Sequence, residues 1–172
     1  MNDVSQLKMS PESPEQMYKL VSNENDVFYI SEKALNLSQM LKEMVAALNY
    51  NPEEVETSDP IMVYRAATAE LKRVVEWCEH HKNDEPLPPD AKQEDVKVTE
   101  WDAAFLNIDN DELYRLICVA NYLDISKLLR MSCRVVAGWL KSKTCEQMRV
   151  AFGIPTQEEQ DEFNLGPKKA RK

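Results

Sequence analysis

The chain spends its apolar residues in an order that leaves few folds open. Two short runs, Tyr18–Ser22 and Val27–Ser31, read as strands. They are joined by Asn23-Glu24-Asn25-Asp26, residues that suit a hairpin loop. Ile61-Met62-Val63-Tyr64 reads as a third short strand. The other apolar stretches repeat every three or four residues, the period of a helix. Leu41, Met44, Val45 and Leu48 predict a helix over Ser38–Leu48 with Ser38 as N-cap. Leu71, Val74, Val75 and Cys78 predict another over Thr68–His81. Further helices are expected over Asp109–Ile125 and Ser126–Lys141, with short ones opening near Thr144 and Thr156. A few strands followed only by helices predict an α+β fold, a small three-stranded sheet covered by helices.

The segment Asp109–Ile125 carries the first hint of function. Asp109 and Glu112 have capping-box spacing, and Leu113, Leu116, Ile117, Ala120 and Leu123 form an apolar stripe. At about 100° per residue, Tyr122 falls opposite that stripe, beside Arg115 and Cys118, with Asn121 on the flank. An aromatic and an amide facing away from the core suit a protein-binding surface. A lone surface tyrosine is the ordinary alternative. In Ser126–Lys141, Leu129, Cys133, Val136 and Leu140 form one row, and Leu128, Val135 and Trp139 another. A helix apolar on two sides is expected to be covered on both, by its own core or by a partner. Thr144 with Gln147, and Thr156 with Glu159, are capping boxes. Gly153 suits a C-cap, and Pro155 blocks continuation. Such short terminal helices must dock on something to be stable.

Charge narrows the partners. Of a formal net −9, the tail residues Lys168, Lys169, Arg171 and Lys172 contribute +4, so the remainder carries −13. That body repels phosphate backbones, so nucleic acid is not expected as a partner. The tail is open to two readings, a nuclear-import signal or a solubilising end. Residues 1–16 are polar with Pro11 and Pro14, and are expected to be disordered. Asn49–Pro60 reads as an acidic loop, and Lys82–Thr99, with Pro86, Pro88 and Pro89, as a mobile surface loop. No apolar run approaches the roughly 18 residues of a membrane span, so no membrane association is expected. Cys78, Cys118, Cys133 and Cys145 form no C-x-x-C pair and are expected as free, buried thiols of an intracellular protein.

Chemistry is sparse. With only Gly138, Gly153 and Gly166, no phosphate-cradling glycine loop can be written. Cys78, His80 and His81 are clustered, but adjacent histidines on a helix diverge and no second cluster completes a zinc site. No metal, cofactor or catalytic constellation is expected.

Three motifs carry a family resemblance. Trp77-Cys78-Glu79-His80-His81-Lys82-Asn83-Asp84, Trp101-Asp102-Ala103-Ala104-Phe105-Leu106 and Ala120-Asn121-Tyr122-Leu123-Asp124-Ile125 resemble, in order and interval, signatures of the Skp family, the adaptors of SCF ubiquitin ligases. The resemblance runs from about Tyr18 to Phe163. It implies a BTB/POZ-like cullin-binding domain over 17–141, F-box-binding helices over 142–165 and a basic tail over 166–172. The implied protein is non-catalytic, cytoplasmic and nuclear, and bridges a cullin to F-box substrate receptors. By position, Asn121 and Tyr122 match the cullin-contacting pair, with Arg115 beside them. Leu128, Val135, Val136, Leu140, Met148, Phe152, Ile154 and Phe163 fall in the region that meets the F-box. Two departures stand out: Cys145 replaces a customary proline, and Gly166-Pro167 replaces the continuation to a clasping tryptophan, for which Phe163 or Leu165 would substitute. The alternative function is a BTB-type scaffold that self-associates, forming a homodimer when no F-box protein is bound, or takes other partners through its C-terminal apolar surface.

Overall fold

The computed structural model describes residues 15–48, 50, 59–88, 91 and 95–165. The expectations for residues 1–14, for most of the 49–60 loop and for the basic tail lie outside them.

Strands β1 (Met17–Ser22) and β2 (Val27–Ser31) form an antiparallel hairpin with Tyr18 opposite Ile30 and Leu20 opposite Phe28. The turn closes through the Ser22 N–H, which donates to the Asp26 carbonyl at 3.0 Å. Asn25 takes φ 69°, a conformation asparagine tolerates. Strand β3 (Ile61–Val63) lies parallel to β1 on its other side, giving the order β2-β1-β3. A parallel pair needs a crossover, and helices α1 (Glu32–Leu35) and α2 (Gln39–Leu48) lie within it. Tyr18, Leu20, Ile30, Ile61 and Val63 are buried. Helix α1 is a single turn, too short to show a period in the sequence. Burial of Ala34 and Leu35 holds it.

Helix α3 (Thr68–His81) is the central helix, packing against α1, β2 and α5 (Asn110–Tyr122). Leu71, Val74, Trp77 and Cys78 are fully buried along it. Burial pushes the Cys78 thiol far above its ordinary pKa. Helix α4 (Glu100–Phe105) opens with a complete capping box between Thr99 and Asp102. The fully buried Asp102 also meets His81 Nε2 at 2.8 Å and accepts from Trp77 Nε1 at 3.3 Å. The other ring nitrogen of His81 lies 2.6 Å from Asp84. Burial alone would raise the Asp102 pKa. Hydrogen bonds from Thr99 and His81 outweigh it and hold the carboxyl below its usual range.

Several expectations change in three dimensions. Helix α5 ends at Tyr122, not Ile125, because Asp124 turns left-handed at φ 50°. The N–H groups of Asp124 and Ile125 bond back to the carbonyls of Asn121 and Ala120, a Schellman stop. Asp109 caps α5 through the N–H groups of Asp111 and Glu112, but Glu112 pairs with Arg73 at 3.4 Å. The capping box is therefore half made. The 82–99 segment, expected to be mobile, is tied down where described. Val96 is fully buried, the Ala91 carbonyl accepts from Arg130 Nη1 at 2.5 Å, and Asp84 is held by His81 and Lys127. All four cysteines are free, yet Cys118, Cys133 and Cys145 are exposed and Cys78 alone is buried. Their helices present those positions away from the core.

The chain divides into two compact units, Met1–Ser132 and Cys133–Lys172. The division falls inside helix α6 (Ser126–Leu140), earlier than the boundary expected at residue 141. Leu128, Met131 and Ser132 are buried, whereas Cys133 onward is exposed or half-buried. In the free chain the first half of α6 is therefore buried on one side, through Leu128, Met131 and Ser132, while on the other row Leu129 is half-buried and Cys133 exposed. The second unit continues with α7 (Cys145–Ala151) and α8 (Gln157–Leu165). Among the described residues no helix is long and apolar enough to cross a membrane.

Candidate partner-binding surfaces

The first surface is the outer face of α5. Ser38 positions its C-terminal end, since its Oγ donates to the Leu123 carbonyl at 2.5 Å and caps α2 by accepting from the Leu41 N–H at 3.1 Å. Leu113, Leu116, Val119, Ala120 and Leu123 face the core. That orientation leaves Tyr114, Arg115, Cys118 and Asn121 exposed on the opposite side. Tyr122 is less free than the helical wheel implied. It is half-buried, and the Arg65 guanidinium lies over its ring at 5.7 Å. Arg115 is held by Glu70, Nε to Oε1 2.8 Å. Its side chain stays about half exposed (53 %), so it joins the face as a paired cation.

Tyr64, Arg65 and Tyr114 also border this face, although none was expected there. Tyr64 is 68 % and Tyr114 67 % exposed. Tyr114 shares the Asn121 side of the helix and was accessible to the same wheel argument. No local signal could have placed Arg65, in the turn between β3 and α3, on Tyr122.

The second surface belongs to the second unit. Val135, Val136, Leu140 and Met148 are half-buried, while Val150, Phe152, Ile154 and Phe163 are large apolar side chains left in water. Phe163 is the barest, at 88 % exposure. Trp139 meets Phe152 edge-to-face at 6.4 Å, and Lys143 lies 4.2 Å over the Trp139 ring. Leu128 does not join this set; it is fully buried in the first unit and serves as core there.

Local hydrogen bonds shape this unit. Thr144 and Gln147 make both halves of a capping box, so α7 keeps its start with Cys145 at the first position. Thr156 and Glu159 do the same for α8. Gly153, at φ 60°, stops α7 with a Schellman pair, its own N–H to Val150 and that of Ile154 to Arg149. Arg149 bonds Glu146 twice, donates to the Ile154 carbonyl at 3.0 Å and lies 3.7 Å from Glu159. Its hydrogen bonds hold the Glu146 carboxyl below the usual range.

His80 and His81, which divergence was expected to keep from one ion, take separate roles. His80 stacks on Trp101 at 3.7 Å, and His81 bridges the two aspartates. Among the described residues no group of three or more His, Cys, Asp or Glu side chains is placed to hold a metal.

A three-stranded sheet under helices, continued by a helical unit with bare apolar side chains, defines a POZ-type α+β protein with a helical extension. Residues 16–83 match the Skp1 family tetramerisation domain, and residues 126–165 the Skp1 family dimerisation domain. A Skp1-related protein of Caenorhabditis elegans is 33 % identical over 163 residues, covering 90 % of this chain and 93 % of that protein. The E3 ubiquitin ligase complex SCF subunit sconC of Aspergillus flavus is 39 % identical over 132 residues, 73 % of this chain and 78 % of the relative. Suppressor of kinetochore protein 1 of Schizosaccharomyces pombe is 32 % identical over 153 residues, 84 % and 91 % respectively. The chain belongs to the Skp1 family.

Proposed function

We propose that this protein is a non-catalytic adaptor of an SCF-type cullin ubiquitin ligase, bridging a cullin to F-box substrate receptors. The observation that carries the reading is family membership: Skp1 family models match residues 16–83 and 126–165, and a relative 39 % identical is named as an SCF subunit. The outer face of α5, with Asn121, Tyr122 and Arg115, is assigned to the cullin. Val135, Val136, Leu140, Met148, Phe152, Ile154 and Phe163 are assigned to the F-box. Large apolar side chains standing in water support this second assignment, because burying them against a partner helix releases the cost of exposing them. The protein acts in the cytoplasm and nucleus under this reading.

The test combines Asn121→Lys with Tyr122→Lys in the full chain. Cullin co-purification should be lost while F-box binding persists. Retention of the cullin at wild-type level refutes the assigned face. Truncation after Lys143 should remove F-box binding first.

The same apolar surface supports a second reading, a scaffold that pairs with itself when no F-box protein is bound. Sedimentation across concentration separates the two. A homodimer that an F-box peptide cannot dissolve favours the scaffold.

A further inference from the structure

We propose that Arg65 is a specificity-determining contact of the α5 face, accepting a carboxylate from the cullin helix that packs over Tyr122. This rests on the assignment of that face to a cullin.

Most cations near this face are already neutralised. Arg115 is paired with Glu70 at 2.8 Å, and Arg73 with Glu112 at 3.4 Å. Glu70 is nearly buried and its second oxygen has no donor, so releasing Arg115 would strand a carboxylate in the interior. Arg65 differs. Among the described residues it makes no ion pair, and its guanidinium lies over the Tyr122 ring at 5.7 Å. The Arg65 side chain is exposed, so its planar fork of N–H groups is open to a carboxylate through two parallel bonds.

The surroundings favour use of that geometry. The chain outside its tail carries a formal −13, and Arg65, exposed and without an ion pair among the described residues, stands against that sign. Tyr64 precedes Arg65 and stands 68 % exposed, and Tyr114 adds a second open ring on the α5 side. Tyrosine and arginine are the side chains that concentrate binding energy when a partner excludes water around them. A carboxylate docked on Arg65 and covered by the partner would be shielded from water, which strengthens the attraction over that of an open surface pair. Tyr122 then has two tasks: it offers apolar area to the partner, and it orients the arginine that reads the partner's charge.

The experiment measures affinity of the purified full chain for the purified N-terminal region of a cullin. The variants are wild type, Arg65→Ala, Arg65→Lys, Arg65→Glu and, as reference, Tyr122→Lys. Binding of an F-box peptide and the thermal midpoint report that each variant is folded. Arg65→Ala should weaken cullin binding about tenfold and flatten its dependence on salt. Arg65→Lys keeps charge without the planar fork and should fall between wild type and alanine. Arg65→Glu should weaken binding by about a hundredfold or more, and reversing one cullin carboxylate to lysine should restore it. If Arg65→Glu binds within about twofold of wild type while Tyr122→Lys does not bind, the Arg65 assignment is overturned and the face stands. If neither change affects binding, the face itself is wrongly assigned and both readings fall.

Discussion

Replacing Asp102 by alanine should destabilise the first unit far more than a typical substitution. The carboxylate is fully buried and serves three groups: the Trp77 indole N–H at 3.3 Å, His81 Nε2 at 2.8 Å, and Thr99 through its N–H at 3.0 Å and hydroxyl at 2.6 Å. Thr99 is exposed and can turn to water, so losing its cap costs about 1 kcal/mol. Trp77 is fully buried and His81 is 3 % exposed, so neither can rehydrate in place. An orphaned buried donor costs about 1–3 kcal/mol, and two of them bring the expected total to about 3–7 kcal/mol. With a urea slope of about 1–3 kcal/mol per molar, the midpoint should drop by roughly 2 M at unchanged slope. Unfolding is followed by the fluorescence of Trp77 and Trp101, which lie beside the substitution. A drop under about 0.5 M would refute the reasoning, because it would mean these donors find other partners. The pH dependence gives an independent check. Asp102 and Asp84 are both held below their ordinary values, against burial, by hydrogen bonds from Thr99 and His81 and from His81 and Lys127 respectively. Each contribution is therefore complete above the ordinary carboxylate pKa, about 4. It is lost as pH falls through the lowered folded value. Asp102→Asn should show a shallower loss of stability on acidification than wild type.

Three further outcomes are expected. A thiol reagent added to the native protein should modify Cys118, Cys133 and Cys145 quickly, whereas Cys78, fully buried and with its thiolate disfavoured, should react only on unfolding; four equally fast thiols would contradict this burial pattern. Gly153→Ala should cost about 1 kcal/mol, since the position needs φ 60° although nothing lies within 4 Å of an added Cβ. Amides at the end of α7 should then exchange about fivefold faster, and unchanged exchange would argue against the left-handed stop. Phe152→Ala with Phe163→Ala should weaken F-box peptide binding at least about tenfold while leaving the thermal midpoint unchanged, because both rings are mostly in water in the free chain. A lowered midpoint with unaltered peptide affinity would reverse that assignment.

Much of the local architecture was legible because its causes act within a few residues. Thr68–His81 matches its helix end to end, since the apolar repeat of Leu71, Val74 and Cys78 spans the whole element. The caps at Thr144, Thr156, Ser38 and Gly153 also formed as their chemistry implied. The family resemblance, read from three motifs, agrees with the matches at both ends of the chain. Where the reading failed, the deciding partner lay far along the chain. Glu112 left its capping box for Arg73, and Leu128 proved to be core.

Which segments become strands and helices, where most of them start and stop, and to which family the chain belongs are all written in short stretches of residues. Periodicity, caps and motifs are local codes, each complete within about one or two helical turns. Which side chains remain available to a partner is set instead by packing between distant segments. Ser38 meets the carbonyl of Leu123, 85 positions away, and so anchors the end of α5. Glu70 claims Arg115, while Arg65 comes over Tyr122 with its charge unpaired among the described residues. Availability depends on which groups are brought within a few ångströms by the packing of α3 against α5, and no short window of sequence contains that information.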